Sequence, residues 1–406
     1  QPTKMKTLFK NYLNTFDGLS KEVWWLALIT LINRAGTMVI PFLSLYLNKD
    51  LGFSLSSIGW ILSVYGLGSV AGSWIGGKLA DKFGFYLVMV YSLFATGIMF
   101  ILLQYLTTLL SFCIGIFVVM VVADSFRPAM FVAMSAYSKP ENKTRSVTLI
   151  RLAINLGFSA GPAVGGIIIT TLGYSGLFWV DGITCILATI LLIKVLHPKK
   201  TKPQDSIINE NPESVFKDKP YWLFFVAMAI FGIIFLQYFS TIPLYYKDVH
   251  LLSELEIGLL MGMNGLFIFI LEMPLIKWLE NSTFSMIGLM VLGALLVGAS
   301  FIVLIMTSWI GILIFGMLLM TIGEMISFPF SNAFAMQRAK RGNQGEYMAL
   351  YSITFALSHI IGHNSGMQLI DNFGFDFTWN VMTIVMIVSI FILVILKKSL
   401  SRENQL

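Results

Sequence analysis

Charged side chains interrupt apolar stretches of this chain at seven positions, and these residues are best placed to do chemistry. Four are acids and three are arginines: Asp124, Asp181, Glu272, Glu324, Arg34, Arg127 and Arg151. A carboxylate in a dry setting can take up and release a proton near neutral pH. Ionisable residues inside a membrane span are functional by default, because burying them there is costly. We therefore predict that the four acids couple proton movement to another process, with a structural role as the open alternative for Asp181. Glu272 is expected to pair with Lys277.

Two of these charges lie one helical turn apart. Asp124 and Arg127 are three residues apart and share a helix face, so they can form an ion pair. Pairing would protect each charge from the cost of leaving water. The pair is either structural or part of a functional site. The same choice applies to Arg34, whose structural partner would be Asp124.

A wider set of polar and aromatic residues in the apolar stretches is suited to contact a small molecule. Such sites combine an apolar wall with a few directional polar groups. The candidate substrate contacts are Asn33, Arg34, Tyr65, Phe126, Arg127, Asn155, Tyr238, Phe328, His359 and His363. The two histidines have a spacing that can bind a metal, but the sequence offers no third ligand. We expect a polar cavity wall there, and neither a metal nor a cofactor.

The composition places these residues in lipid. Of 406 residues, 57% are hydrophobic and only 12% are charged, whereas a soluble domain carries about 25% charged residues. Runs of about 20 apolar residues predict membrane-spanning helices. We predict twelve, near residues 24–46, 56–78, 86–106, 109–135, 146–171, 175–196, 221–245, 256–278, 285–306, 309–336, 347–370 and 377–396. Cys113 and Cys185 lie in such runs and give no disulfide framework.

The distribution of polar segments predicts the organisation and orientation of the chain. The predicted parts are a cytoplasmic segment 1–23, a six-helix bundle 24–196, a flexible linker 197–220, a second six-helix bundle 221–396 and a cytoplasmic tail 397–406. Of 27 Lys and Arg residues, three lie inside spans, two (Lys49 and Lys247) lie on the far side, and the remaining 22 share the side of both termini. Because cations accumulate in cytoplasmic loops, we predict cytoplasmic termini in a bacterial inner membrane. The chain starts at Gln1 and is expected to be trimmed, without a cleavable signal peptide.

The two halves resemble each other at a shift of about 200 residues, which predicts a duplicated unit. The matches are Ile40-Pro41 with Ile242-Pro243, Lys49-Asp50 with Lys247-Asp248, Ile58-Gly59 with Ile257-Gly258, Gly66 with Gly265, Asp81 with Glu280, Pro128 with Pro329 and Gly173 with Gly374. The regions of Asp124 and Glu324 also correspond. An acid in each half predicts a proton-carrying pair across a central cavity.

The end of the second span, residues 72–84, contains a motif known from a transporter family. Its sequence GSWIGGKLADKFG resembles the signature loop of the major facilitator superfamily, G-x-L-A-D-[RK]-x-G-R-[RK], although Phe85 and Tyr86 replace the final basic residues. The resemblance implies that Asp81 helps to close the cytoplasmic side, against a helix N-terminus and an arginine such as Arg145. The candidate gate residues are Gly77, Asp81, Lys82, Gly84, Arg145 and Glu280.

The fifth span carries a second motif. Gly157, Gly161 and Gly165 recur every fourth residue and form a smooth stripe where a neighbouring backbone can approach closely. Together with Pro162 and Gly166 they resemble the fifth-helix motif of drug:proton antiporters within the same superfamily. Ordinary small-residue packing is the alternative interpretation. Arg151, at the start of this motif, is either a gate residue or a cation that reaches toward the headgroups.

The resemblance implies an all-α membrane protein of twelve helices in two pseudo-symmetric six-helix bundles. Together with the buried acids, it predicts a transporter that exports a small amphipathic or apolar compound in exchange for protons by alternating access. A proton-coupled importer or exporter of peptides or nutrients, and a lipid flippase, stay open as alternatives. Oligopeptide transporters carry E-x-x-E-[RK] on their first helix. Here Thr30, Asn33 and Arg34 occupy that pattern without either acid, which disfavours peptide symport.

Other functional classes lack their characteristic residues. The sequence contains no phosphate-binding loop, nucleophile elbow or metal cluster, so we do not expect an enzyme. Its basic loops are short and lack aromatic residues for stacking on bases, so we expect no nucleic-acid partner. The expected partners are a small-molecule substrate, protons and the lipid bilayer, with the protein as a monomer.

Overall fold

The computed structural model describes residues 18–36, 38–139, 142–199, 214–306, 309–339, 341 and 344–403, with only the backbone at 143, 144, 344 and 345. Within this part of the chain the regular secondary structure is entirely helical. Ten stretches are long and apolar enough to cross a membrane. Two of them, Arg145–Val195 and Glu346–Glu403, span 51 and 58 residues. Because about 20 residues cross a bilayer, each is long enough for two crossings, which gives twelve in all.

We number the crossings α1 to α12. They are α1 (Lys21–Ala35 and Val39–Leu45, then a π-helical turn Tyr46–Asp50), α2 (Leu55–Phe83), α3 (Phe85–Leu103), α4 (Leu109–Tyr137), α5 and α6 (143–172 and 174–195), α7 (Lys219–Phe235, Gln237–Ser240 and Ile242–Asp248), α8 (Glu254–Glu280), α9 (Met286–Met306), α10 (Gly311–Ala339), and α11 and α12 (344–373 and 375–403). The end of the bundle that carries Lys21, Asp218 and Glu403 is called the termini end, and the other is called the far end.

The matched glycines of the repeat occupy matched turns. Gly173 joins α5 to α6 with φ 72° and ψ −177°, and Gly374 joins α11 to α12 with φ 79° and ψ 178°. A side chain rarely adopts this backbone conformation, whereas glycine does so without steric cost. The duplication read from the sequence is therefore repeated in the backbone geometry of the two halves.

The first and seventh crossings differ from the prediction of single uninterrupted spans. The helix of α1 ends at Ala35 and resumes at Val39, and α7 is interrupted around Leu236 and Thr241. Each crossing resumes just before a proline of the repeat, Pro41 or Pro243. Proline lacks a backbone N–H and is tolerated in the first turn of a helix.

Several helices extend further at the termini end than their apolar runs predict. Helix α2 continues to Phe83, so most of the signature motif is helical, and Gly84 makes the turn into α3. Helix α12 continues to Glu403, past the predicted end at residue 396. The predicted linker lies largely in residues 200–213, outside the described residues, as does most of the predicted N-terminal segment.

The most extensive contacts between the halves run along two helix pairs, α5 with α8 and α2 with α11, and α1 also contacts α7. A Cβ at Gly265 of α8 would lie 2.6 Å from the backbone nitrogen of Ser159 of α5. The hydroxyl of Ser63 on α2 donates to the carbonyl of Ile360 on α11 at 2.6 Å. At the far end Lys49 forms an ion pair with Asp248. These contacts define a seam between the two halves.

An ion-pair network joins the termini-end parts of α7, α10 and α12. Arg338 donates to Asp218 at 2.7 and 2.8 Å and to Glu403 at 2.7 and 3.1 Å. Burial alone would raise the pKa of Asp218, but hydrogen bonds from Arg338 and Tyr347 hold it below its usual value. The network fixes the entry of the chain into α7.

Candidate functional site

Five residues of the first half form a polar cluster at the seam, and we call it the arginine cluster. It consists of Arg34 on α1, Tyr65 and Ser69 on α2, and Asp124 and Arg127 on α4. The carboxylate of Asp124 accepts a hydrogen bond from the hydroxyl of Ser69. The charges of Asp124 and Arg127 both act on Arg34, whose guanidinium group lies 5.5 Å from the ring centre of Phe158.

The predicted ion pair between Asp124 and Arg127 is wrong. Within the described residues no nitrogen of Arg127 lies within 4.0 Å of a carboxylate oxygen. The hydrogen bond from Ser69 holds the Asp124 carboxylate toward α2. Arg127 remains exposed inside the apolar span of α4.

A second polar cluster joins α5 to α8 and α10, and we call it the acid cluster. Arg151 Nη2 of α5 lies 2.7 Å from Glu272 Oε1 of α8, and Asn155 Nδ2 donates to Glu272 Oε2 at 3.1 Å. Glu324 Oε2 of α10 accepts from Asn264 Nδ2 at 2.9 Å. The charge of Glu272 also acts on Glu324. Two carboxylates of the second half thus lie within electrostatic range of each other.

The partner of Glu272 differs from the predicted Lys277. Lys277 is on the same helix, but Arg151 approaches from the other half of the molecule and takes the carboxylate. A small cavity of about 30 Å³ lies beside this ion pair, lined by Thr148, Arg151, Leu152, Asn155, Glu272 and Met273. It is large enough for a water molecule, and its lining offers several polar partners.

The acids of the two halves lie in different clusters. Asp124 belongs to the arginine cluster and Glu324 to the acid cluster, and no hydrogen bond or ion pair joins them among the described residues. The expected proton-carrying pair across the cavity is therefore not a direct contact. Within the second half, Glu272 is the acid neighbour of Glu324.

The two histidines of α11 adjoin the arginine cluster. His359 Nδ1 and His363 Nε2 are 3.2 Å apart, and their rings lie 6.1 and 6.3 Å from that of Tyr65. His363 is buried, and its Nδ1 has no hydrogen-bond partner in the described part of the chain. A group of three or more His, Cys, Asp or Glu side chains able to hold a metal is absent from the described residues.

Aromatic rings line the second half next to these polar groups. Phe328 on α10 is half-buried and lies 5.4 Å from Phe355 on α11 and 4.9 Å from Phe235 on α7. Phe328 is four residues from Glu324, and Phe355 is four residues from His359. Residues four apart share a helix face, so the aromatic rings and the polar clusters lie on the same surfaces.

Four predicted site residues have structural contacts instead. Asp181 accepts hydrogen bonds from the backbone N–H groups of Met38 and Val39, both at 2.9 Å, where α1 resumes. Asn33 donates to Cys185 Sγ at 3.8 Å, between α1 and α6. Phe126 and Tyr238 are buried in the hydrophobic cores, at 3% and 1% exposure. These contacts favour a structural role for all four residues in this conformation, and their predicted roles in substrate binding or proton coupling stay predictions.

In this conformation the predicted gate residues form no ion pairs with one another among the described residues. Asp81 and Glu280 are exposed and form no ion pair among the described residues, so the lock between Asp81 and Arg145 is not made. A Cβ at Gly77 would meet nothing within 4 Å. The ammonium group of Lys82 lies 5.2 Å from the ring centre of Phe83.

The glycine motif of α5 contacts two neighbouring helices, α1 and α8. Gly165 packs against Phe42 and Met38 of α1, Gly157 packs against Arg34, and Gly161 is buried. Pro162 and Gly166 instead face α8, where a Cβ at Gly166 would lie 2.6 Å from the carbonyl oxygen of Glu254. The predicted close approach is confirmed for this helix.

Sequence reasoning missed the partners that complete these contacts. Ser69 donates to Asp124 and Asn264 donates to Glu324, while Asn264 Nδ2 also donates to Thr321 Oγ1 at 3.0 Å. Gly262 of α8 accepts a hydrogen bond from Ser159 at 2.7 Å. Asn264 was detectable as a polar residue inside an apolar span, and the small-residue row Gly258, Gly262 and Gly265 was detectable by its spacing.

Comparisons with known proteins agree on the family. The sequence model of the Major Facilitator Superfamily matches residues 26–363. The chain is 24% identical over 385 residues to a Na(+), Li(+), K(+)/H(+) antiporter of Planococcus maritimus, covering 86% of this chain and 89% of that protein. It is 28% identical over 243 residues to the quinolone resistance protein NorA of Staphylococcus aureus, covering 57% of this chain and 59% of NorA.

A solved structure supports the fold. The peptide transporter POT in complex with sulfate aligns with a TM-score of 0.77 at 16% identity, covering 94% of this chain and 96% of that chain. Identity at this level supports the fold and leaves the substrate open.

Proposed function

Because the chain belongs to the major facilitator superfamily, whose members are transporters rather than enzymes, we propose that it exports a small amphipathic compound in exchange for protons. The two halves, which we take as residues 24–196 and 221–396, would open alternately to the two sides of the membrane. The protein would act as a monomer in the bilayer. Transporters built from repeated halves bind substrate near the midplane, where the halves meet.

The ion pair between Arg151 and Glu272 carries this proposal, because it joins the two halves of the molecule. Arg151 lies on α5 of the first half, and Glu272 lies on α8 of the second half. A proton on Glu272 would remove its charge and weaken its attraction to Arg151. Proton binding would thereby loosen the seam. This links a chemical event at the acid cluster to relative movement of the halves.

Glu324 supplies a second protonatable group beside Glu272. Like charges that lie close together disfavour simultaneous ionisation, so neighbouring carboxylates tend to share a proton. Asn264 donates a hydrogen bond to Glu324, and Asn155 donates one to Glu272. We propose that the acid cluster passes protons, while the arginine cluster and the rings of Phe235, Phe328 and Phe355, which we call the aromatic wall, contact the exported compound.

The names of two relatives support proton-coupled export. One is named as an antiporter that exchanges cations for protons, and another is named for quinolone resistance. The surplus of cations on the termini end supports an orientation with both termini in the cytoplasm of a bacterial cell. Protons entering from outside would then drive the compound outward.

Contacts of α1 disfavour the peptide-symport alternative. Thr30 donates to the carbonyl of Leu26 within its own helix, and Asn33 contacts Cys185 of α6. These two positions, which correspond to the acids of oligopeptide transporters, therefore face packing contacts within the first half. Peptide or nutrient transport by another arrangement, and lipid flipping, would use the same seam.

Proteoliposomes containing the purified chain and an internal pH dye test the proposal. We expect addition of a transported compound to cause proton movement in the opposite direction, and an imposed pH gradient to drive compound flux. Glu324→Gln removes a titratable carboxyl, so it should abolish gradient-driven flux but leave compound exchange without a gradient. Arg402→Gln, an exposed change at the end of α12, is the matched control. Wild-type flux that is unchanged when the proton gradient is collapsed would contradict the proposal.

A further inference from the structure

We propose that the arginine cluster takes an amphipathic organic anion, with the carboxylate or phosphate group bound by Arg127 and Arg34 and the apolar body against the aromatic wall. The inference deepens the proposed function by naming the chemical class of the compound. It rests on the proposed function for transport, whereas binding can be tested without it.

Arg127 is the first reason. Its side chain is exposed inside the apolar span of α4, and it makes no hydrogen bond or ion pair with any residue that the structure describes. A cation inside a membrane span is costly unless a partner or water compensates it. Its guanidinium group offers five donors in a planar fork that matches a carboxylate or phosphate. The unpaired fork is therefore suited to an anionic ligand.

The charge balance of the arginine cluster is the second reason. Arg34, Tyr65 and His359 each lie within electrostatic range of both Asp124 and Arg127. With tyrosine and histidine neutral, two cations face one carboxylate, so this wall is net positive. The Asp124 carboxylate is already engaged by Ser69. A cationic ligand would be repelled here, and an anion would restore neutrality.

The position of the aromatic rings is the third reason. Phe158 lies beneath Arg34, and Phe355 is one helical turn from His359, whose ring lies 6.1 Å from Tyr65 of the arginine cluster. Phe328 continues the wall at 5.4 Å from Phe355. An aromatic or aliphatic body attached to the anionic group would thus meet apolar rings beside the arginines. Burial of that body supplies the non-directional part of the binding free energy.

Arg151 does not compete for the same ligand group. It is the third arginine inside the apolar spans, and its guanidinium group is held by Glu272. The acid cluster carries Glu272 and Glu324 around this single cation, so its arginine is already engaged by a carboxylate. We therefore place the anionic end of the ligand in the first half, at Arg127.

Three naphthalene probes of matched size test the inference: 1-naphthoate, 1-naphthylmethylammonium and 1-naphthylmethanol. Binding is measured by calorimetry on the full chain in nanodiscs of phosphatidylcholine, without a proton gradient. We expect naphthoate to bind at least about tenfold more tightly than the ammonium probe, because charge-assisted bonds to a guanidinium group are strong. Arg127→Gln should weaken naphthoate binding by about tenfold, and Arg127→Lys should weaken it less.

Controls separate loss of the anion site from loss of folding. Binding of neutral naphthylmethanol should be unchanged in Arg127→Gln, and Arg402→Gln should behave as wild type with all three probes. Arg34→Gln provides a second variant with the same expected direction. Equal or tighter binding of the ammonium probe, or naphthoate affinity that is unaffected by both arginine changes, would overturn the inference. A failure of proton-coupled flux in proteoliposomes would leave this binding result intact.

An anionic phospholipid presents the same chemistry as a free organic anion. Repeating the titration with phosphatidylglycerol in the nanodiscs distinguishes the two sources. Competition by the lipid would support the anion site and assign it to a lipid headgroup. Undiminished naphthoate binding would support the site and assign it to a free carboxylate.

Discussion

Asp181 shows how a buried acid inside a membrane span can serve the backbone. The first N–H groups of a helix have no partner within that helix. Where α1 resumes, the carboxylate of Asp181 on α6 accepts two of them, from Met38 and Val39. In the sequence, Asp181 and Glu272 look alike, since each is an acid inside an apolar span. The carboxylate of Glu272 instead joins the two halves. The difference lies in the donors that tertiary structure brings to each carboxylate.

Substitution of Asp181 tests this structural assignment. Asp181→Ala leaves two buried N–H groups without acceptors, which should cost about 1–3 kcal/mol and lower the thermal unfolding midpoint in detergent. Asp181→Asn keeps one acceptor oxygen and should retain most of the stability and the proton-driven flux. Loss of proton coupling in Asp181→Asn, with an unchanged unfolding midpoint, would instead make Asp181 a coupling residue.

Helices α5 and α8 meet through small residues on both sides. The α5 side contributes Ser159, Pro162 and Gly166, and the α8 side contributes Gly258 and Gly265. Small residues let helix backbones approach closely in a membrane, where van der Waals packing drives association. This close approach also brings Arg151 within reach of Glu272. The glycine motif and the ion pair therefore depend on the same helix contact.

Gly265→Ala tests the importance of this approach. The added Cβ would lie 2.6 Å from the Ser159 nitrogen and 2.7 Å from its Cα, so the helices must separate at a cost of about 1–3 kcal/mol. We expect a lower unfolding midpoint and slower compound flux. Gly316→Ala in α10 is the control, since its Cβ would meet neighbours only at 3.4 Å and alanine gains about 1 kcal/mol in helix propensity. Equal effects of the two changes would contradict a special role for the α5–α8 contact.

At the far end of the whole molecule, an ion pair formed by charges of the repeat joins the two halves. The duplicated Lys-Asp dipeptides lie at the ends of α1 and α7, and Lys49 of the first half pairs with Asp248 of the second half. Lys247 pairs instead with Glu254 at 2.8 Å, and Glu254 also accepts from Tyr174 Oη at 3.3 Å. The duplication therefore supplies ion-pair partners across the seam, although the two copies use them differently.

Charge reversal tests whether the Lys49–Asp248 pair holds the far end closed. Both side chains are about one-third exposed, so solvent limits the pair to about 1 kcal/mol or less. Lys49→Asp should raise the population open at the far end by up to about fivefold, measured by spin-label distances between Leu51→Cys and Val249→Cys in a background without Cys113 and Cys185. Adding Asp248→Lys should restore the wild-type distribution. A distribution that does not change in Lys49→Asp would exclude this pair as a latch.

The sequence by itself determined the twelve crossings, the duplication and the presence of acids and arginines inside the spans. These features can be read along the chain. Lipid penalises polar groups in every segment that crosses it, and each of the turns at Gly173 and Gly374 depends on the backbone conformation of one residue. Only the tertiary structure decided which groups meet. Asp124 takes Ser69 rather than Arg127, Glu272 takes Arg151 rather than Lys277, and Asp181 caps α1. These partners are up to 143 residues apart in the chain. Their meeting depends on how closely helices approach, which hydropathy and spacing along one helix do not specify.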